Sequence, residues 1–337
     1  MVELIRKLTL LDGTSGDENA VHDFIIEEIS PYCEISTDAL GNIIAKRKGR
    51  KTPDKKIMLD AHMDEVGLII THITADGFLR FKTLGGIDTS ALLFKTVTIN
   101  GKIKGVISGK PIHLTKPEEE KKLPDVDRLY IDIGVNSGEE AEQLLTVGDR
   151  AVINSDFTVC GDKIISKALD DRVGCAILIE LIKEYDKYDF TAVFSVQEEI
   201  GLRGAKTATY GVDPDAAIII EGTTAADIAD VPDDKKVCAL GNGAVVSFMD
   251  KATVYDREYY SAALNSGVPA QPKCAVAGGN NSGAVHLSRK GVRTVALSVP
   301  CRYIHTASSV ADISDINAVY KLATFMIEYI ANDKQNI

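Results

Sequence analysis

Four short apolar runs in this chain each end on a histidine or a carboxylate. KKIMLD leads into Ala61-His62-Met63-Asp64-Glu65, FTAVFSV into Gln197-Glu198-Glu199, AAIII into Glu221, and TVALSV into Pro300-Cys301-Arg302-Tyr303-Ile304-His305. Brief runs of this kind, separated by helical patterns, read as buried strands of an α/β sheet. Ligands of such sheets bind outside the carboxyl ends of the strands. The chain is thus expected to gather its polar groups along one sheet edge. A further element joins them, because Asp170-Asp171-Arg172 opens the helix that follows Lys167.

The rest of the chain fits around this pattern. Leu4, Ile5, Leu8 and Leu11 recur at helical spacing until Asp12-Gly13, and Val21, Phe24, Ile25 and Ile29 mark a second helix that Pro31 ends. Residues 42–46 and 56–59 read as strands. Between about Gly67 and Gly161 the character changes: Ala75-Asp76-Gly77 lies between ITHI and FLRF, and Asn100-Gly101 between TVTI and KIKGVI. Asp-Gly and Asn-Gly between strand-like runs are strong hairpin signals. Residues 116–124 read as a polar loop and 137–145 as one short helix. Beyond Gly161 come a helix over 173–185, strands over 190–196, 216–220 and 294–299, and a closing helix over 315–330. The expected division is a discontinuous α/β catalytic domain, residues 1–66 and 162–337, interrupted by a β-rich module, residues 67–161.

Charge and cysteine usage exclude some partners. Lys and Arg total 38 against 49 acidic residues, a net charge of −11, which disfavours nucleic acid and anionic membrane surfaces. No apolar stretch is long enough to span a bilayer, and the first residues lack a signal-peptide core. Six scattered cysteines without a C-x-x-C pair read as reduced thiols of a cytoplasmic protein rather than as a secreted disulfide framework.

Imidazole and carboxylate together suit zinc, cobalt or manganese. Two histidines and three carboxylates gathered from these five places would be too many for one tetrahedral catalytic ion, but suit two ions sharing a carboxylate. Taken singly, each has a simpler reading: a surface histidine, a solvated Glu198-Glu199 loop, or Asp170-Asp171 as a helix cap. Their shared strand-end placement favours convergence. His22, His72, His113 and His286 lie outside that pattern and are read as structural.

Ala-His-Met-Asp-Glu-Val-Gly (61–67), Lys-Ala-Leu-Asp-Asp-Arg-Val-Gly (167–174), Gln-Glu-Glu-Ile-Gly-Leu-Arg-Gly-Ala (197–205) and Arg-Tyr-Ile-His (302–305) resemble the signatures of the tetrahedral aminopeptidases. This two-metal family includes glutamyl and deblocking aminopeptidases, and some of its members are labelled endoglucanases. The resemblance implies a zinc-aminopeptidase-like mixed sheet covered by helices, with an inserted mostly-β, barrel-like dimerisation domain. It implies His62, Asp170, Glu199, Glu221 and His305 as ligands of two divalent ions per subunit, zinc first, with cobalt and manganese as alternatives. Asp170 would bridge them, Glu198 would be the general base for a metal-bound hydroxide, and Asp64 would orient His62. The implied substrates are short peptides, and the implied assembly is a homo-oligomer, a dodecamer built from dimers. Two departures stand out: Glu221 where the family often has Asp, and Gly278-Gly279-Asn280-Asn281 for the usual Gly-Gly-Thr-Asp. The rival expectations are a glycan hydrolase using paired carboxylates and a non-catalytic assembly protein on the same fold.

Overall fold

A computed structural model describes residues 1–114, 123–276 and 278–333. Most of the expected loop over 116–124 lies outside the described residues. Among those described, the strands form an eleven-stranded sheet and a separate closed barrel.

The sheet is built around Ile57–His62, whose six residues are all buried. It pairs in parallel with Phe190–Ser195 on one side and Ala216–Thr224 on the other, and Arg293–Arg302 lies parallel to Ala216–Thr224 beyond. Strands covered on both faces cannot alternate polar and apolar residues, which is why they read as continuous apolar runs. Antiparallel strands extend both flanks: Glu34–Thr37 and Ile43–Arg47 on one, Ser309–Asp312, Lys163–Ser166 and Thr158–Cys160 on the other. Thr158–Cys160 therefore belongs to the large sheet, although it precedes Gly161, the end of the expected β-rich module.

Helices cover both faces. Val2–Leu10, Asn19–Ile29, Leu169–Glu184 and Ile313–Asn332 bury Leu8, Ile25, Ile179 and Leu322 against Ile218 and Leu297. Leu169–Glu184 is the central helix of this layer, apolar around most of its circumference as a helix enclosed by protein must be. Each fully buried Leu or Ile contributes about 1.5–3 kcal/mol. On the opposite face Arg203–Val212 and Ser282–Val285 set Ala205, Ala208 and Val285 on Met58, Val193 and Ile219.

The barrel runs Gly67–Ile73, Leu79–Leu84, Tyr130–Asp132, Ile103–Ser108, Thr96–Ile99 and Arg150–Ile153, the last pairing back to the first. Leu68, Ile70, Phe81, Val97, Ile99, Ile107 and Ile131 fill it. Both expected hairpins are present. At the second turn Asn100 and Gly101 have φ of 48° and 67°, the pair of positive values that a type I′ turn requires. The mixed sheet covered by helices and the barrel-like module match the fold expected from the sequence.

Several elements differ in extent. The strand expected over 216–220 continues to Thr224, and that over 294–299 to Arg302. The short helix contracts to Gly138–Glu142, where the Ser137 hydroxyl accepts the Glu140 N–H at 3.2 Å. The helix expected from Val173 begins at Leu169, with non-helical backbone at Asp170 and Asp171.

Candidate active site

The carboxyl ends of the parallel strands meet the start of the central helix. His62 is the last residue of its strand, paired in register with Ser195, two residues before Gln197-Glu198-Glu199. Glu221 is placed otherwise than the sequence indicates. It lies inside Ala216–Thr224 rather than after it, because the strand stays paired and buried beyond Ile220. His305 stands three residues beyond Arg302 with φ of 60°, and Asp170 sits in the kink before the regular helix.

All five expected ligand residues come together. His62 Nε2 is 3.5 Å from Asp170 Oδ1 and 3.2 Å from Glu221 Oε1. His305 Nε2 is 3.5 Å from Asp170 Oδ2 and 3.1 Å from Glu199 Oε1. Asp170 thus turns one oxygen toward each histidine. The other ring nitrogens are engaged: His62 Nδ1 lies 3.0 Å from the Asp64 main-chain oxygen, and His305 Nδ1 lies 2.8 Å from that of Gly86. A carbonyl oxygen only accepts, so each Nδ1 carries a proton and each ring turns its Nε2 to the carboxylates of the centre.

Asp64 has a wider task than orienting His62. Its carboxylate oxygen is 3.4 Å from His62 Nδ1, while the hydrogen bond goes to its own carbonyl. The carboxylate instead accepts the Ser15 hydroxyl at 2.6 Å, the Glu198 N–H at 2.9 Å and the Glu199 N–H at 3.2 Å. Burial would raise Asp64, but the neighbouring His62 ring, then the bonds from Ser15 and Glu198, hold it below the usual carboxylate range.

The remaining charges are strained against one another. Burial, then the charges of Glu221, Glu199 and Asp170, push Glu198 well above the carboxylate range. Glu221 is pushed up to about 8 by burial, against the attraction of His62. His305 rises to about 11, because Asp170 and Glu199 more than reverse the effect of burial. Asp170 Oδ1, Glu199 Oε1 and Glu221 Oε2 are buried without a hydrogen bond. Buried polar atoms left this way ask for a partner. A donor set of three carboxylates and two imidazoles, with net charge −3, fits a pair of divalent cations in chemistry and charge.

Two nearby groups escape the sequence reading. Asp171 is fully buried, and its carboxylate accepts the His62 N–H at 3.3 Å and the Gly174 N–H at 3.0 Å. A Cβ on Gly174 would fall 2.4 Å from that carboxylate, so only glycine allows the approach. Asp60, also fully buried, accepts Asn281 Nδ2 at 2.5 Å and the Ser195 hydroxyl at 3.3 Å. It ties the stretch of unusual composition after Gly278 to the strand of His62. Adjacency to Asp170 was the signal for Asp171; nothing local marks Asp60.

The other histidines lie elsewhere. His22 meets Asp23 and Thr37, and His286 bonds the Ser282 carbonyl at 2.6 Å. His72 is in a barrel strand and His113 in a short 3-10 turn.

The M42 glutamyl aminopeptidase family matches residues 41–322. The chain belongs to this family. Membership makes it a peptide hydrolase of the aminopeptidase class. The lysyl aminopeptidase of Pyrococcus furiosus is 32% identical over 97% of this chain and 96% of its own length. An aminopeptidase structure from Desulfurococcus kamchatkensis superposes with a TM-score of 0.92 at 35% identity, covering 100% of this chain and 98% of that one. The Pyrococcus horikoshii TET1 peptidase, described as assembling into a tetrahedron or a large octahedral shell, gives 0.85 at 33% identity over 96% and 98% of the two chains. Among the described residues no helix is long and apolar enough to cross a membrane.

Proposed function

We propose that this M42 aminopeptidase removes N-terminal residues from short peptides at a two-ion centre. His62, Asp170 and Glu221 would hold one divalent cation, and Asp170, Glu199 and His305 the other. The observation that carries this reading is the Asp170 carboxylate, with one oxygen toward His62 and the other toward His305. Zinc, cobalt and manganese all suit such donors. Two ions so held would supply Lewis acidity toward the scissile carbonyl and toward water.

Glu198 is the general base. Its backbone is fixed by Asp64, and its carboxyl responds to the charges of His62, Glu221, Glu199 and Asp170. A carboxyl whose proton affinity is raised above that of an ordinary carboxylate suits the task of taking a proton from water and returning it to the leaving amine. Glu199, beside His305, serves instead as a ligand. Asp64 holds Glu198 and Glu199 by their N–H groups and His62 by its carbonyl, which links the base and both ion sites to one residue.

The barrel within residues 67–161 is proposed as the dimerisation module of a homo-oligomer, in line with the assemblies described for the TET1 peptidase. A dodecamer built from dimers in the cytoplasm is the form favoured here, and the six cysteines, none in a disulfide, accord with a reducing compartment. The glycan reading has less support, because paired carboxylates for glycoside hydrolysis need no histidines.

The deciding experiment is a panel of aminoacyl chromogenic substrates and a soluble glucan, each assayed with and without chelator. Turnover of aminoacyl substrates that stops with chelator and returns with zinc, cobalt or manganese supports the reading. Chelator-resistant glucan hydrolysis without peptide turnover overturns it.

A further inference from the structure

The turn that carries Glu198 and Glu199 belongs to no helix or strand, yet four successive N–H groups along it are held by side chains. Val196 N–H goes to Asn42 Oδ1 at 2.9 Å, Gln197 N–H to Glu18 Oε1 at 3.1 Å, and those of Glu198 and Glu199 to Asp64 at 2.9 and 3.2 Å. The carbonyls are engaged as well. Val196 O accepts Gly204 N–H, Gln197 O accepts Arg203 N–H, and Glu198 O accepts the N–H groups of Gly201 and Leu202. Gln197 itself has φ of 55°, a region that residues with a Cβ seldom occupy.

Glu18 is the least expected member of this set. It stands at the N-cap of Asn19–Ile29, where an acidic side chain usually bonds the first helical N–H groups, but it makes no such cap. Its Oε1 instead joins Gln197 N–H to Gly16 N–H, the latter at 2.8 Å, and the residue is 6% exposed. Burying a carboxyl is costly without partners, and this one rises to about 7 through burial, despite its bonds to Gly16 and Gln197. Its side chain bonds no helical N–H and reaches the turn instead.

We propose that Glu18 is a positioning residue for the reaction: by gripping the Gln197 N–H it fixes the left-handed bend that aims the Glu198 carboxyl. This rests on the reading of Glu198 as the base. Glu199 is held a second time by its contact with His305, so loss of Glu18 should disturb Glu198 more than the ion sites. Misplacing a reacting group by about 1 Å can cost up to about 100-fold in rate.

The test uses the holoenzyme and the variants Glu18→Gln, Glu18→Asp and Glu18→Ala. An amide oxygen still accepts both N–H groups, so Glu18→Gln should keep the parent kcat. Glu18→Ala has no acceptor, and Glu18→Asp is one methylene too short to reach Gln197. Both should lose about 10- to 100-fold in kcat with KM and metal content unchanged. Hydrogen exchange followed by mass spectrometry should accelerate over residues 196–200 in those two alone. If Glu18→Ala fails to fold, Glu18→Asp carries the same comparison. Parent-like kcat or parent-like exchange in Glu18→Asp overturns the proposal, as does an equal loss in Glu18→Gln. A parent enzyme without peptide turnover would instead sink the aminopeptidase reading, and the exchange comparison would still decide whether Glu18 holds the turn.

Discussion

Lys167 Nζ donates to both carboxylate oxygens of Glu65, at 2.6 and 2.8 Å, across 102 positions of sequence. Glu65 lies where the chain leaves the large sheet for the barrel, and Lys167 lies where it has returned. Arg172, with no exposed surface, adds a contact to Glu65 at 3.2 Å and donates to the carbonyls of Met63 and Leu8. The same buried cluster thus joins the first helix, the outgoing crossing and the returning one, just behind Asp170.

Lys167→Met should leave Glu65 buried with Arg172 as its remaining cation. Breaking a buried pair from one side costs about 3–5 kcal/mol. Urea titration at fixed chain concentration checks this. The double variant Glu65→Leu with Lys167→Met should not recover the loss, because it strands the fully buried Arg172 without its carboxylate.

Gly222 follows Glu221 in the same strand, and a Cβ there would lie 2.9 Å from Asp170 Oδ1 and 3.0 Å from its Cβ and Cγ. Gly222→Ala should push Asp170 off its bridging position. The expected result is a fall in bound metal and in turnover with an unchanged circular dichroism spectrum, read by elemental analysis alongside the assay.

Glu198 and Glu199 should fail differently. Glu199→Gln removes an anionic donor beside His305, so metal content and activity should drop together. Glu198→Gln should retain the metal and lose about 10²- to 10⁴-fold in kcat. Metal loss in Glu198→Gln with retention in Glu199→Gln would reverse the two roles.

Acid should weaken the fold through carboxylates paired with arginine. Arg293 contacts Asp256 at 2.8 Å, Glu258 at 2.8 Å and Asp333 at 3.1 Å. Burial alone would raise Asp256, but the Arg293 bonds outweigh it and hold it below the usual range. A carboxyl lowered in the fold stabilises fully above its unfolded value of about 3.9, and that contribution is lost as pH falls through the folded value. The thermal midpoint should therefore drop below about pH 4, and Arg293→Met should flatten that part of the profile.

Much of this site was legible because its signals are local. His62 could be found because a buried parallel strand ends on it, and both hairpins because Asp-Gly and Asn-Gly specify their own turns. Glu221 was harder. Inside a strand buried on both faces a carboxylate looks like a strand end, although the pairing with Arg293–Arg302 continues to Thr224. The flanking strands Glu34–Thr37 and Thr158–Cys160 are too short and exposed to show a pattern. Asp60 with Asn281, and Glu18 with Gln197, are contacts between residues 221 and 179 positions apart, and no spacing rule reaches that far.

The barrel closes because Arg150–Ile153 pairs back to Gly67–Ile73. Its lateral main-chain pairing is thereby largely used up, so another copy cannot attach there by adding a strand. Any recognition through this module would have to be written in side chains and loop ends, such as exposed Phe94. Its surface can then diverge between relatives, and each can keep to its own kind, without disturbing the ladder that holds the module together.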